Sequence, residues 1–251
     1  MHHVRHRVVH NVVNIWYDGN MRKFIPSEEE IYHVFNRGTD KRNTFLNKKD
    51  YERFIVNLIL FNTIKEPIRN ISRYNIDIAC KKIPNNPLVK IHAFSLLPNH
   101  FHLIIEQVEK NGIARFLHRI EMGYSHYFNK INSRSGNLFQ GAYKIIHIDN
   151  DSYRLYLPLY IHLNPLDLLE TEKNWKEKGI KDKTKAVDFL RNYSWSSLGE
   201  YLKIRSLPFV SRDIFDSLYR NPQEWEDALK DWLPEHIQMC ATEWRTFGGF
   251  R

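Results

Sequence analysis

Cysteine is scarce in this chain of 251 residues: only Cys80 and Cys240 occur, far apart and in no CxxC spacing. That excludes a disulfide framework and a cysteine zinc site, and a reducing compartment is the simplest setting. Long apolar runs are missing as well. The longest, residues 54–61, is interrupted by Asn57 and falls well short of the roughly 20 residues that span a bilayer. The opening residues have no uninterrupted apolar stretch and mix His2, His3, Arg5, His6, Arg7 and His10 with valines, so they are not expected to act as a secretory signal. Residues 1–28 are expected to form a mobile leader, with Met21 an alternative start of translation, and the protein is expected to be cytoplasmic with no membrane partner. No internal repeat is evident.

What is abundant is positive charge and histidine. Thirty-seven Lys and Arg against 29 Asp and Glu leave +8, with a pI near 9.3, and there are 13 histidines. At 42% hydrophobic the chain can bury a core in one large domain or two small ones, so it is not disordered. The charge is uneven. Residues 111–147 hold five basic side chains (Arg115, Arg119, Lys130, Arg134 and Lys144) against the single acid Glu121, whereas residues 211–235 carry a net −4. A polyanion surface is therefore expected in the middle of the chain, and a packing or partner-facing role for the tail.

Periodicity supplies the elements. Residues 31–36 alternate as a strand and stop at a basic turn, Arg37-Gly38-Thr39-Asp40; Asn47 then precedes a helix with Tyr51, Phe54, Ile55 and Leu58 on one face. Two alternating runs, 88–97 and 100–108, flank Pro98-Asn99 and predict a hairpin. Gly112 opens a long helix whose stripe runs from Ile113 through Phe116, Leu117, Ile120, Tyr124, Tyr127 and Phe128 to Ile131. Residues 143–148 predict a fourth strand, and Asp149 or Asp151 the cap of a helix running to Leu163, stopped by Asn164-Pro165. Pro158, inside that helix, removes the hydrogen bond to Arg154 and is expected to kink it. The order strand, helix, hairpin, helix, strand, helix predicts an α+β fold, a ferredoxin-like antiparallel sheet with helices on one face, followed by a helical C-terminal extension. The boundaries expected are 1–28, 29–166 and 167–251.

Two constellations could carry chemistry. His100 and His102 flank Phe101, and a period of two puts both imidazoles on one face of a strand, able to hold a metal. Thirteen histidines yield about 0.7 such pairs by composition alone, so the pair by itself is weak evidence. Tyr160 and Asn164 are four apart on one helical face; tyrosine can serve as a nucleophile and an asparagine oxygen can ligate a hard cation, though a lone helical tyrosine is usually core packing.

Context raises those odds. Leu96-Leu97-Pro98-Asn99-His100-Phe101-His102-Leu103 resembles the HUH motif of single-tyrosine transposases, and the REP-associated tyrosine transposases in particular. Four further blocks agree in order: Tyr32-His33-Val34-Phe35-Asn36-Arg37-Gly38, Gly136-Asn137-Leu138-Phe139-Gln140-Gly141-Ala142-Tyr143-Lys144, Tyr160-Ile161-His162-Leu163-Asn164-Pro165, and Tyr193-Ser194-Trp195-Ser196-Ser197. The resemblance implies that His100 and His102 are metal ligands, Tyr160 the nucleophile and Asn164 the third ligand, with Mg²⁺ or Mn²⁺ as the cofactor. Imidazoles favour transition metals, so manganese satisfies both considerations.

The implied substrate is single-stranded DNA containing a hairpin, cut and rejoined through a 5′-phosphotyrosine. Candidate DNA contacts are Arg37, Lys41, Arg42, Arg115, Arg119, Lys130, Arg134 and Lys144, with Gln140 and Tyr143 binding bases or setting the loop. Two alternatives stay open: a domesticated hairpin-binding protein that does not cut, and a nuclease of the replication-initiator kind with the same HUH centre. The resemblance also leaves open a homodimer. His162, two residues beyond Tyr160, is expected to point away from it and to be structural.

Overall fold

The computed structural model describes residues 25–232 apart from residue 69. The N-terminal histidines, Met21 and Cys240, all considered above, lie outside the described residues.

Four strands, β1 (Ile31–Arg37), β2 (Val89–Leu97), β3 (His100–Gln107) and β4 (Lys144–His147), form one sheet in the order β2-β3-β1-β4, with every neighbouring pair antiparallel. This is the ferredoxin-like order. The two central strands are covered on both sides, so β1 and β3 are buried almost end to end rather than in alternation. Pro98 and Asn99 make the turn between the paired Leu97 and His100, which fixes the register of the HxH run.

Helices α1 (Lys48–Leu60), α2 (Ile76–Cys80) and α3 (Gly112–Ile131) follow β1 and β3. Asn47 begins α1 with a capping box: its side chain accepts from Lys49 N at 2.9 Å, while the Asp50 carboxylate accepts from Asn47 N at 3.3 Å. Such a cap stabilises a helix by about 1 kcal/mol. The stripe of α3 is buried from Ile113 to Phe128 except at the half-buried Tyr127, and the helix leaves the core at Ile131, which is exposed. With α1 it covers the sheet face that carries Tyr32, Val34, Phe101, Leu103 and Ile105.

Helix α4 (Asp151–Leu163) is capped by Asn150, not by Asp149 or Asp151: the Asn150 side chain accepts from Tyr153 N at 2.7 Å with its own backbone extended. Asp151 instead opens the first turn, where a carboxylate suits the positive end of the helix dipole. The helix runs through Pro158 as one element. After it come a 3-10 stretch, Asn164–Leu168, and α5 (Trp175–Lys178), α6 (Lys183–Asn192), α7 (Leu198–Tyr201), α8 (Asp213–Asp216) and α9 (Pro222–Lys230).

The α+β class and sheet order are as expected, but helices on one face describes only α1 and α3. Phe35, Ala93, Ile104 and Ile146, on the opposite face, share a second apolar cluster with Leu157, Ile161, Trp175, Leu190 and Trp225. An apolar sheet surface has to be covered, and here α4 and the C-terminal helices cover it.

The C-terminal segment also closes the β2 edge. Trp195 O accepts from Leu96 N at 2.8 Å, Ser197 N donates to Phe94 O at 2.9 Å, and Ser211 N donates to Ile91 O at 2.8 Å. The Tyr193-to-Ser197 block thus seals an edge strand. Among the described residues no helix is long and apolar enough to cross a membrane.

Candidate active site

Strand periodicity splits the HxH run as expected. Phe101 enters the first core, 5.1 Å from the Phe54 ring, while His100 and His102 turn to the opposite face with ring centroids 5.0 Å apart and planes nearly perpendicular. Their neighbours on β1 follow from the register: Arg37 stands opposite His100, and Phe35 opposite His102. Helix α4 crosses above and presents Tyr160 edge-on to His102, with centroids 6.4 Å apart. The spacing in the chain, about 60 residues, is thereby reduced to contact.

Both imidazoles are buried, and burial holds them neutral. The His100 pKa is pulled down to about 3 by burial, with Lys176 and Arg37 adding to the effect. His102 is held well below the usual range, first by burial and then by His100, His33 and Lys176. Neutral imidazoles retain the lone pair a metal needs. His100 Nδ1 lies 2.6 Å from Asn99 Oδ1, an atom that only accepts, so His100 carries its proton on Nδ1 and its lone pair on Nε2.

Among the described residues no group of three or more His, Cys, Asp and Glu is arranged to hold a metal ion, so a centre at the imidazole pair has to draw its third donor from another residue type. Asn164 is the third ligand that the resemblance implies. It is buried at the end of α4, where its backbone and side-chain N–H groups both donate to Tyr160 O, the latter at 2.8 Å, which leaves the side-chain oxygen as its lone-pair atom.

Tyr160 is enclosed. It is 4% exposed and packs beside Trp175 (5.8 Å between centroids) and Trp232 (6.2 Å), with Lys176 Nζ 5.9 Å from its ring centre. Lys176 is held by Asp167 at 2.5 Å, and the other oxygen of that carboxylate accepts from the Trp175 indole at 2.8 Å. Asp167 also lines a cleft of about 390 Å³ together with Arg37, Lys41, Asn99 and His100. Two cations, Arg37 and Lys41, and one carboxylate, Asp167, thus stand around the approach to His100.

The other expected residues divide by face. Arg37 donates through Nε to Gln140 Oε1, and Lys144 Nζ lies 6.0 Å from the Phe35 ring centre, so these three belong to the site's side of the molecule. Burial and then Arg37 lower the Lys144 pKa. Arg42 is on the first loop and donates to Thr39 O at 3.1 Å. Tyr143 is half-buried against the first core. Arg115 and Arg119 are not brought to the site: they lie on α3, over the opposite face, and donate to Ile64 O (3.0 Å) and Thr63 O. His162 points away from Tyr160, its Nε2 2.8 Å from Ser197 Oγ.

Sequence reasoning missed His33, Asn99, Tyr153, Asp167 and Lys176. His33 lies within a matched block, and Asn99 immediately precedes His100, so both had a signal in the chain. Asp167 and Lys176 had none, since nothing local distinguishes them in an acid- and lysine-rich stretch.

No curated protein matches the sequence. Among solved structures, a REP-associated tyrosine transposase bound to a REP hairpin aligns over 77% of this chain and 91% of its own, with 15% identity and a TM-score of 0.47. The family described as transposase, IS200-like, matches residues 31–164, more than half of the chain and the whole span from β1 to Asn164. The chain belongs to the family of IS200-like transposases.

Proposed function

We propose that this transposase cuts and rejoins single-stranded, hairpin-containing DNA through a covalent bond to Tyr160. The observation that supports this reading is the meeting of Tyr160 with His102, edge-on at 6.4 Å, on the sheet face where the neighbouring His100 lines a cleft with Arg37 and Lys41. Tyr160 Oη attacks the scissile phosphorus and loses its proton, while the bond from phosphorus to the 3′ oxygen breaks and that oxygen gains a proton. The products are a 5′-phosphotyrosyl ester and a free 3′-hydroxyl. The ester conserves the bond energy, so a second 3′-hydroxyl can displace the tyrosine and join the strands without a nucleotide cofactor.

His100, His102 and Asn164 would hold the divalent ion, which supplies Lewis-acid polarisation of the scissile phosphate. The protein contributes position. Packing between Trp175 and Trp232 limits the orientations open to the Tyr160 ring, and Arg37, Lys41 and Lys144 provide cations for neighbouring phosphates. Gln140, bonded to Arg37, fixes that guanidinium at the cleft wall.

The test is covalency. Labelled hairpin DNA with a single-stranded flank, incubated with the full chain and Mn²⁺, is expected to give a band on a denaturing gel that Tyr160→Phe abolishes. A band that survives the substitution overturns the assignment. Tight hairpin binding with no band from the native protein identifies a DNA-binding protein that does not cut.

A further inference from the structure

We propose that His33 is the positioning residue that fixes the tautomer of His102 and couples it to the helix carrying Tyr160. The inference rests on the reading of His102 as a metal ligand and goes beyond it, because neither the family match nor the motif assigns His33 a role.

His33 Nε2 lies 3.0 Å from His102 Nδ1, and His33 Nδ1 lies 3.2 Å from Tyr153 Oη. Both imidazoles are 0% exposed and stack with centroids 5.2 Å apart at 22°. The strands place them together. Phe35 is the direct partner of His102 across the β1 and β3 pair, so His33, two residues earlier on the same face, is its diagonal neighbour. The Phe35 ring stacks on His33 at 4.9 Å and holds the ring plane.

A hydrogen bond between two neutral imidazoles contains one proton, which leaves two arrangements. In the first, Tyr153 donates to His33 Nδ1, His33 Nε2 donates to His102 Nδ1, and the His102 proton then sits on Nε2, where it blocks a metal. In the second, His102 Nδ1 donates to His33 Nε2, and His33 Nδ1 donates to Tyr153 Oη. Only the second leaves the His102 lone pair on Nε2. Both rings are 0% exposed, and a charged imidazole between them would lack a counter-charge, so the neutral forms are the ones to weigh.

The second arrangement also gives His102 the same tautomer that the Asn99 oxygen imposes on His100. Two ligands of one ion would then offer the same ring nitrogen, each set by a partner on its Nδ1. Such partners of ligating histidines orient the ring and raise its basicity. The tie reaches the nucleophile too. Tyr153 and Tyr160 are seven residues apart on α4, two turns along one side, so the chain from Tyr153 through His33 to His102 fixes α4 over the metal ligand.

The experiment uses the full chain labelled with ¹⁵N-histidine and no metal. Long-range ¹H–¹⁵N correlation reports which nitrogen of each ring is protonated. His102 is expected to carry its proton on Nδ1 in the native protein, and to shift towards Nε2–H in His33→Ala. His33→Gln, whose side-chain oxygen reaches the place of Nε2 and accepts, is expected to restore Nδ1–H. Native protein with His102 protonated on Nε2 overturns the proposal without any variant having to fold.

A second measurement is Mn²⁺ affinity by titration calorimetry, expected to fall roughly 10- to 100-fold in His33→Ala and to recover in His33→Gln. Unchanged affinity in His33→Ala overturns the coupling. If the native chain binds no Mn²⁺ and yet shows the Nδ1–H tautomer, the metal reading fails while the role of His33 in setting the ring stands.

Discussion

Lys176 Nζ lies 2.5 Å from Asp167 Oδ2 and 5.9 Å from the centre of the Tyr160 ring, although it comes from a segment beyond the stretch that matches the family. If Tyr160 is the nucleophile proposed above, a cation beside its ring, held by a carboxylate that lines the His100 cleft, would meet charge that develops on the transferred phosphate. Lys176→Gln is expected to slow covalent adduct formation by roughly 10- to 100-fold in single-turnover quench experiments, with Lys176→Arg retaining part of the rate. An unchanged rate in Lys176→Gln would show that the lysine serves only to pair with Asp167.

The basic residues are expected to separate by face. Arg37→Gln should weaken binding of single-stranded hairpin DNA and reduce the slope of log affinity against log salt by about 1, because one phosphate contact is lost. Arg119→Gln, whose parent side chain is committed to Thr63 O over the other face, should leave the slope unchanged. Filter binding from 50 to 200 mM salt decides between them, and equal slopes for both variants would contradict the placement of DNA at the His100 cleft.

Much of this was legible in the sequence, and the remainder has definite physical reasons. Hydrophobic period gave the strands and helices because β1, β3, α1 and α3 each bury a repeating face. The HxH pair declared its shared face through the period of two. The α4 cap went to Asn150 because three consecutive candidates, Asp149, Asn150 and Asp151, could each accept a hydrogen bond, and chain geometry chose among them. Charge counting did not show that Arg115 and Arg119 lie over the face opposite His100, since a net charge carries no information about which side of a helix meets which side of a sheet. His33 sat inside a matched block, but only strand register put it beside His102.

Ser197 joins three elements: its hydroxyl accepts from Phe94 N at 2.8 Å and lies 2.8 Å from His162 Nε2, and its N–H donates to Phe94 O. Ser197→Ala strands two buried polar groups, each costing about 1–3 kcal/mol. Thermal unfolding is expected to fall by several degrees, taking about 2–4 °C per kcal/mol for a chain of this size. Adduct formation at low temperature should survive. Loss of the reaction with unchanged stability would give Ser197 a chemical role instead.

Two opposite pH effects follow from burial. His33, His100 and His162 have pKa values drawn down to about 3 by burial, so the unfolded chain takes up protons near 6.5 that the folded chain refuses. Their contribution is complete above pH 6.5 and is lost as pH falls towards 3, at about 1.4 kcal/mol per unit for each residue. Glu121, on α3 and bonded to Asn36 at 2.8 Å, goes the other way. Burial, partly offset by Asn36, raises it to about 7, so its contribution is complete below the ordinary carboxylate range and is lost as pH rises through 7. Denaturant titration followed by circular dichroism should show cooperative loss of structure well before pH 3, and Glu121→Gln should gain stability over the native protein between pH 5 and 8. A fold that persists unchanged at pH 3 would contradict the burial of the neutral histidines.

The most direct measurement is peptide mapping of the covalent adduct. Native protein reacted with hairpin DNA and Mn²⁺, then treated with nuclease and trypsin, is expected to yield the peptide of residues 155–173 carrying one 5′-phosphonucleotide, with fragmentation placing it on Tyr160. Modification at Tyr156, the other tyrosine of that peptide, or at any residue outside it, would contradict the account.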